Sequence, residues 1–338
     1  MVRVGKAAAA RKLAAAAVYG GGGLSVAGAS LYGVLRAEAG LARRAIGNAD
    51  EPPPPADGTY GAALPGIPIS LLLLGDSAAA GYGLTDPLDT PGALIGQGLA
   101  AITDRPVRVT SRAFVGARSA DLDGQIDAGI DADPEVVVIV VGANDVTHSV
   151  RPSEAVRQLD LAVRRLRGRG CEVVVGTCPD LGTIGHIAPP LRQLAREWSR
   201  RMAAAQTITT VEAGGRSVSL AQLLGRSFAA APGELFGADR FHPSVAGYAS
   251  MVAALLPSIA VALGAWDPDE DWLDSLPGEG VLPVSFAAAE AAEVAGTEVS
   301  PARVAGSERG PRGRWAQIRH RRRAPVPHPS APTPVGQG

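Results

Sequence analysis

Between residues 67 and 266 the chain alternates short, continuously apolar runs with longer stretches in which apolar residues recur every three or four positions. The runs Ile69–Leu74, Val107–Thr110, Val136–Val141, Glu172–Thr177 and Ile208–Glu212 have the length of strands. Their lack of strict apolar–polar alternation is the mark of strands buried on both faces. Ser153–Arg167 is the clearest helix: Val156, Leu159, Val163 and Leu166 recur at helical spacing, and Ser153 is placed to cap it. Pro190–Ala205 and Val245–Leu263 read as further helices. Strands alternating with helices in this way predict an α/β fold, a parallel five-stranded sheet covered on both faces within one domain over 67–266.

The flanks follow other patterns. Residues 1–47 open with Arg3, Lys6, Arg11 and Lys12, followed by an uncharged run from Leu13 to Leu35. As a helix that run spans roughly 34 Å, enough to cross a bilayer. It reads as an uncleaved signal anchor, as a secretory signal cut after Ala27-Gly28-Ala29, or as a soluble Ala/Gly-rich tail. The basic residues before it bias the N-terminus inside, which places the domain outside the cytoplasm, anchored or secreted. Residues 48–66, "NADEPPPPADGTYGAALPG", predict a stiff proline-rich spacer. After Trp266 the periodicity is lost. Asp267–Glu298 carries nine acidic residues and no Lys or Arg, and Arg303–Arg323 carries eight arginines against Glu308 alone. Residues 267–338 are therefore expected to be a disordered tail. Its arginines either make weak contact with an anionic surface or neutralise the acidic run before them.

Composition narrows the function classes. An apolar fraction of 46% supports a real core, and a net charge of −1 provides no field for nucleic acid. Lysine occurs only at Lys6 and Lys12 while arginine is abundant, as in proteins from a GC-rich bacterial genome. Cys171 and Cys178 bracket one predicted strand, which would hold them roughly 20 Å apart, beyond disulfide reach. No cluster has metal-ligand spacing, and neither a Gly-x-x-x-x-Gly-Lys phosphate loop nor a His-Glu-x-x-His is present. "GYGLTD" lacks the third glycine of a dinucleotide fingerprint. Neither metal nor cofactor is expected.

The candidate chemistry starts at "ISLLLLGDSAAAGYG", where a buried strand ends in Gly75-Asp76-Ser77 and small residues follow. Ser77 stands at the carboxyl end of the first predicted strand, where open α/β sheets bind ligands. A serine needs a base, and of the five histidines only His242 carries a carboxylate three residues before it, Asp239 in "GADRFHPSVAGY". An Asp so placed can hold the imidazole in the tautomer that accepts the serine proton. Asn144, at the end of the third strand, and Gly116, after the second, can join the Ser77 N–H as donors to an oxyanion. Asp76 and Asp145 are expected to brace loops. His148 and His186 are expected in loops near the cleft.

These four blocks, Gly75-Asp76-Ser77, Gly116, Gly142-Ala143-Asn144-Asp145 and Asp239-Arg240-Phe241-His242, resemble in this order the SGNH hydrolases, also called the GDSL esterase/lipase family. The likeness runs from about Pro68 to Ala262, and "CPDLGTIG" with "VEAGGRSVSLAQLLG" resembles exported or membrane-anchored actinobacterial members. The resemblance implies a flavodoxin-like three-layer αβα sandwich that hydrolyses small-molecule or lipid esters, or thioesters, without a cofactor. It implies Ser77, Asp239 and His242 as the triad, and Ser77, Gly116 and Asn144 as the oxyanion hole. Short acyl chains are favoured by the small residues beside Ser77. Transfer of the acyl group to another acceptor, deacetylation of an envelope polymer, and a non-catalytic envelope binder are the alternatives. No Gly-x-Ser-x-Gly elbow of the α/β-hydrolase type occurs.

Overall fold

Strand β2 (Ile69–Gly75) is buried at every position and lies between β3 (Val107–Ser111) and β4 (Val136–Val140), parallel to both. In this computed structural model the described residues are 52–184, 187–220, 235–266 and 279–321, with 324 and 326. Register sets Leu71 against Val109 and Val136, and Gly75 against Val140. Alternate side chains of β2 then feed two separate cores. Leu71 and Leu73 pack with Leu94 and Leu99 of α2 (Pro91–Thr103) and with Val252, Leu255 and Ile259 of α7 (Val245–Ala262). Leu72 and Leu74 pack with Ile126 of α3 (Leu122–Gly129) and with Leu159, Val163 and Leu166 of α5 (Pro152–Arg167). Each such leucine contributes about 1.5–3 kcal/mol by leaving water, which is why the run tolerates no polar alternation. The result is the three-layer αβα sandwich that the apolar runs imply.

Four predicted strands appear within a residue of their expected ends, the fourth as β5 (Glu172–Gly176). The fifth does not. Ile208–Glu212 is the last turn and a half of α6 (Leu191–Glu212), a longer helix than Pro190–Ala205. Met202, Ala203, Gln206, Thr207, Thr210 and Val211 form its buried stripe at spacings of three and four, so tertiary packing overrides the strand preference of Ile-Thr-Thr-Val. The fifth parallel strand is instead β6 (Arg216–Val218), next to β5. Ser153 is not a cap either: Arg151 holds that position, with Pro152 in the first turn.

The sheet does not stop at five strands. The spacer's second half belongs to the domain, because β1 (Gly58–Tyr60) pairs antiparallel with β3 and Ala56 is buried. Residues 279–321, expected within a disordered tail, form β7 (Gly280–Pro283), α8 (Val284–Ala291), β8 (Thr297–Ala302), β9 (Arg309–Gly310) and β10 (Gly313–His320). The strand order is β1-β3-β2-β4-β5-β6-β8-β10-β7, with β8 antiparallel to β6. Val284, Ala287, Val299, Ala316 and Ile318 close a further apolar cluster on Val211 of α6. Arginines there find partners: Arg321, turned inward, pairs with Glu298, Arg314 donates to the Glu212 carbonyl, and Arg303 faces Glu308 at the surface. His320, on β10, meets Thr297 Oγ1 at 2.8 Å. Cys171 and Cys178 are free and buried.

Among the described residues one helix, α7, is long and apolar enough to span a bilayer, and it is a core helix with Tyr248, Leu255 and Ile259 fully buried. The predicted N-terminal anchor over residues 1–47 lies outside the described residues.

Candidate active site

The site is built where β2 stops. Gly75 has φ +139°, and a Cβ there would lie 1.9 Å from the Val140 carbonyl oxygen, so only glycine admits this approach of β2 to β4. The Asp76 N–H donates to that same carbonyl at 3.0 Å. Gln125, reaching up from α3, clamps Gly75 on both sides: its Oε1 accepts the Gly75 N–H and its Nε2 donates to the Gly75 carbonyl, each at 2.8 Å. The chain then enters a short helix, α1 (Ser77–Ala80), whose N-cap is Asp76, accepting the Ala78 N–H at 2.9 Å. Burial pushes the Asp76 carboxyl up to about 7, against the Ala78 N–H, with Asp145 adding to the rise. Ser77 opens this helix, so its N–H is one that the helix leaves unbonded. Small residues follow because Ala79 packs into the core while Ala78 lines the cavity.

His242 arrives from the other end of the domain. In the turn before α7, Asp239 Oδ1 accepts the N–H groups of Phe241 and His242, each at 3.0 Å, which fixes the carboxylate. Its Oδ2 lies 2.6 Å from His242 Nδ1, and His242 Nε2 lies 2.9 Å from Ser77 Oγ. A carboxylate at Nδ1 selects the tautomer protonated there, leaving Nε2 to accept the serine hydroxyl. Burial works to raise the Asp239 carboxyl, but the His242 ring and the two N–H groups outweigh it and hold it below its ordinary range. The rings of Tyr82 and Phe241 stand edge-on to the imidazole at centroid distances of 4.6 and 4.9 Å. Tyr82 is itself tied down, its N–H donating to the Ser77 carbonyl and its carbonyl accepting the buried Tyr248 hydroxyl at 2.9 Å.

Gly116 and Asn144 sit on the neighbouring strand ends. Gly116 has φ +86° with open space where a Cβ would stand, so the turn's backbone geometry requires the glycine. That turn is held by Ala117 N–H to the Phe114 carbonyl, and the Phe114 N–H donates to the Gly75 carbonyl, both at 3.3 Å. Asn144 lies in α4 (Ala143–Thr147), whose N-cap is Gly142, so its amide is not a cap. Asn144 Nδ2 donates to the Ala117 carbonyl at 3.0 Å, joining the β3 and β4 loops and leaving its second amide hydrogen for another acceptor. Asp145 is buried and accepts the Ser119 N–H and hydroxyl at 3.0 and 2.9 Å, the bracing role expected of it. His148 is exposed, with Nδ1 2.8 Å from the Asn144 carbonyl oxygen. His186 lies outside the described residues.

A cavity of about 50 Å³ opens beside Ser77 and His242, lined by Val140, Leu181, Ile184, Leu220, Phe241 and Met251 among others. Most of this lining carried no signal in the sequence. The two buried glutamines were equally silent: where Gln125 clamps one residue, Gln206 bridges two strand ends, accepting the Cys178 N–H at 2.7 Å and donating to the Val141 carbonyl at 2.9 Å. Among the described residues no group of three or more His, Cys, Asp or Glu side chains is arranged to hold a metal.

The GDSL-like Lipase/Acylhydrolase family matches residues 73–250. The chain is 40% identical over 258 residues to the GDSL-like esterase Rv1075c of Mycobacterium tuberculosis, covering 72% of this chain and 82% of that protein. Among solved structures, it is similar to the acetylxylan esterase Axe2 of Geobacillus stearothermophilus, at 22% identity and a TM-score of 0.45, covering 58% of this chain and 94% of that one. It is also similar to TesA, at 23% identity and a TM-score of 0.43, covering 57% of this chain and 97% of that one. The matched span carries Ser77, Asn144, Asp239 and His242, and the chain belongs to the GDSL-like lipase/acylhydrolase family of ester hydrolases.

Proposed function

We propose that the protein is a serine esterase acting on short-chain carboxylic esters, with Ser77, His242 and Asp239 as its triad. The observation that carries this reading is the continuous contact from Asp239 Oδ2 through His242 to Ser77 Oγ, at 2.6 and 2.9 Å. His242 Nε2 takes the Ser77 proton as Oγ attacks the ester carbonyl, and Asp239 stabilises the imidazolium that forms. The N–H groups of Ser77 and Gly116 and the free amide hydrogen of Asn144 hold the oxyanion. His242 then returns the proton to the departing alkoxide, leaving an acyl-serine. Water, deprotonated by His242, attacks this ester and releases the acid.

The preference for short chains rests on the cavity. One water needs roughly 10–15 Å³ of such volume, so about 50 Å³ accommodates a few non-hydrogen atoms of acyl chain. The nearly all-apolar lining suits an alkyl group. We read residues 1–47 as an anchor or export signal that places the domain outside the cytoplasm, on the strength of their charge and apolar pattern.

A panel of p-nitrophenyl esters of increasing chain length, run on wild type and Ser77→Ala, tests the proposal. Turnover is expected to be highest for the shortest esters, absent in Ser77→Ala, and accompanied by His242-dependent labelling with a fluorophosphonate. Undiminished hydrolysis by Ser77→Ala would remove the nucleophile. Asn144→Ala is expected to lower kcat by roughly 10²–10³.

A further inference from the structure

Two consecutive apolar side chains, Phe114 and Val115, are 46% and 43% exposed on the loop after β3. Isolated exposed hydrophobics are ordinary, but this pair has a particular position. Its loop is bonded to Gly75, two residues before Ser77, and to Asn144. The tip therefore projects from the edge of the sheet on which Ser77 and His242 meet. Arg118, also exposed, adds a cation beside it.

The chain enters the domain at this same edge. Because β1 is antiparallel to β3, with Gly58 opposite Val109 and Tyr60 opposite Val107, the residues before Gly58 lie along the carboxyl end of β3. Asp57 accepts the Ser111 N–H at 2.7 Å and pairs with Arg112 at 3.0 Å, two residues short of Phe114. Upstream in the sequence lie the four prolines Pro52–Pro55 and the uncharged run Leu13–Leu35. Because the chain already lies on the domain by Ala56, the tether is at most residues 36–51, and a flexible chain of that length has a root-mean-square reach of about 22 Å. A domain of this size has a diameter of about 45 Å. If Leu13–Leu35 spans a bilayer, the tether is too short to favour the far edge, and it brings the Phe114 tip toward the lipid.

We propose that the Phe114–Val115 tip docks this edge of the domain onto the lipid bilayer that holds residues 13–35, so that the Ser77 site faces esters presented at the membrane surface. The substrate part rests on the esterase reading above, and the docking part on the reading of residues 1–47 as an anchor. A Val or Phe entering the interface gains hydrophobic energy, and Arg118 favours anionic headgroups.

The test uses the full chain in the Ser77→Ala background, reconstituted with mixed phosphatidylcholine–phosphatidylglycerol vesicles. Val115→Cys is labelled with an environment-sensitive fluorophore, and Cys171 and Cys178, being buried, are spared. Asp131→Cys, exposed before the amino end of β4, is the control at the opposite edge. The label at 115 is expected to shift to the blue and be quenched by bilayer-embedded quenchers, while that at 131 is not. A label at 115 that reports water as the one at 131 does, or a chain that fails to float with vesicles, overturns the docking. With Ser77 intact, Val115→Asp is expected to lower the ratio of vesicle-embedded to soluble ester turnover by roughly tenfold, the share of one buried aliphatic side chain. An unchanged ratio also overturns it. A docked tip with no wild-type turnover would sustain the docking and remove the esterase reading.

Discussion

Glu298 on β8 has no exposed surface and gathers three residues that lie far apart in the chain. Ser258 of α7 donates to it at 2.7 Å, Arg216 of β6 at 2.9 Å, and Arg321, just beyond β10, closes on the same carboxylate. Burial works to raise the carboxyl, but Arg321, Arg216 and the Ser258 hydroxyl hold it below its ordinary range. The Arg321 side chain is 4% exposed and that of Arg216 is 26% exposed. Glu298→Ala would leave the first cation buried without its partner, and breaking one side of a buried pair costs about 3–5 kcal/mol. At about 2–4 °C per kcal/mol for a domain of this size, the melting temperature should fall by roughly 6–20 °C.

The pH dependence has a definite sign. A carboxylate whose folded pKa is depressed stabilises fully above its unfolded value, about 4.3 for Glu, and that stability is lost as pH falls through the folded value. The gap between wild type and Glu298→Ala should therefore be widest at neutral pH and close in strong acid. Thermal melts followed by circular dichroism across that range measure it, and a double-mutant cycle with Arg321→Met isolates the pair. Because Ser258 lies on α7, which begins three residues after His242, esterase activity should be lost in parallel with the melt. A neutral-pH melt within about 2 °C of wild type, less than the shift from one kcal/mol, would refute the view that this carboxylate fastens the C-terminal strands to the domain.

Gln125→Leu should leave the Gly75 N–H unpaired at about 1–3 kcal/mol, the carbonyl keeping the Phe114 N–H, and loosen the Ser77 turn, lowering kcat more than it raises KM; steady-state kinetics would show the split. Asp239→Asn should cost about 10⁴ in kcat, the penalty for the wrong tautomer, as steady-state kinetics would show. Asp76 runs opposite to Glu298. With its folded pKa raised to about 7, the native state holds a proton that the unfolded chain releases from about pH 4 upward. Stability should thus decline as pH rises through that window. Asp76→Asn should flatten the slope in urea midpoints, and an unchanged slope would contradict the assignment.

What could be read from the chain follows from how each element earns its stability. The strands β2, β4 and β5 are legible because they are buried on both faces, so hydrophobicity alone defines them, and Gly75, Asp76 and Ser77 stand out as the abrupt end of such a run. His242 and Asp239 are legible because their partnership is local, three residues apart within one turn. β6 is not legible: three residues long, with Arg216 at its start, it is fixed by strands on either side of it. Ile208–Glu212 misleads because β-branched residues favour strands only when no longer helical stripe claims them. The C-terminal strands mislead for a different reason. Their acidic and basic blocks read separately as charge-rich and unfoldable, yet Glu298 in the first block and Arg321 in the second meet inside the domain. Charge excess argues for disorder only when the charges lack partners, and a block-by-block reading cannot see a partner more than twenty residues away. Gln125 and Gln206 were invisible on the same principle: an uncharged amide that clamps a strand end carries no motif, because its role is set entirely by the backbone it happens to face.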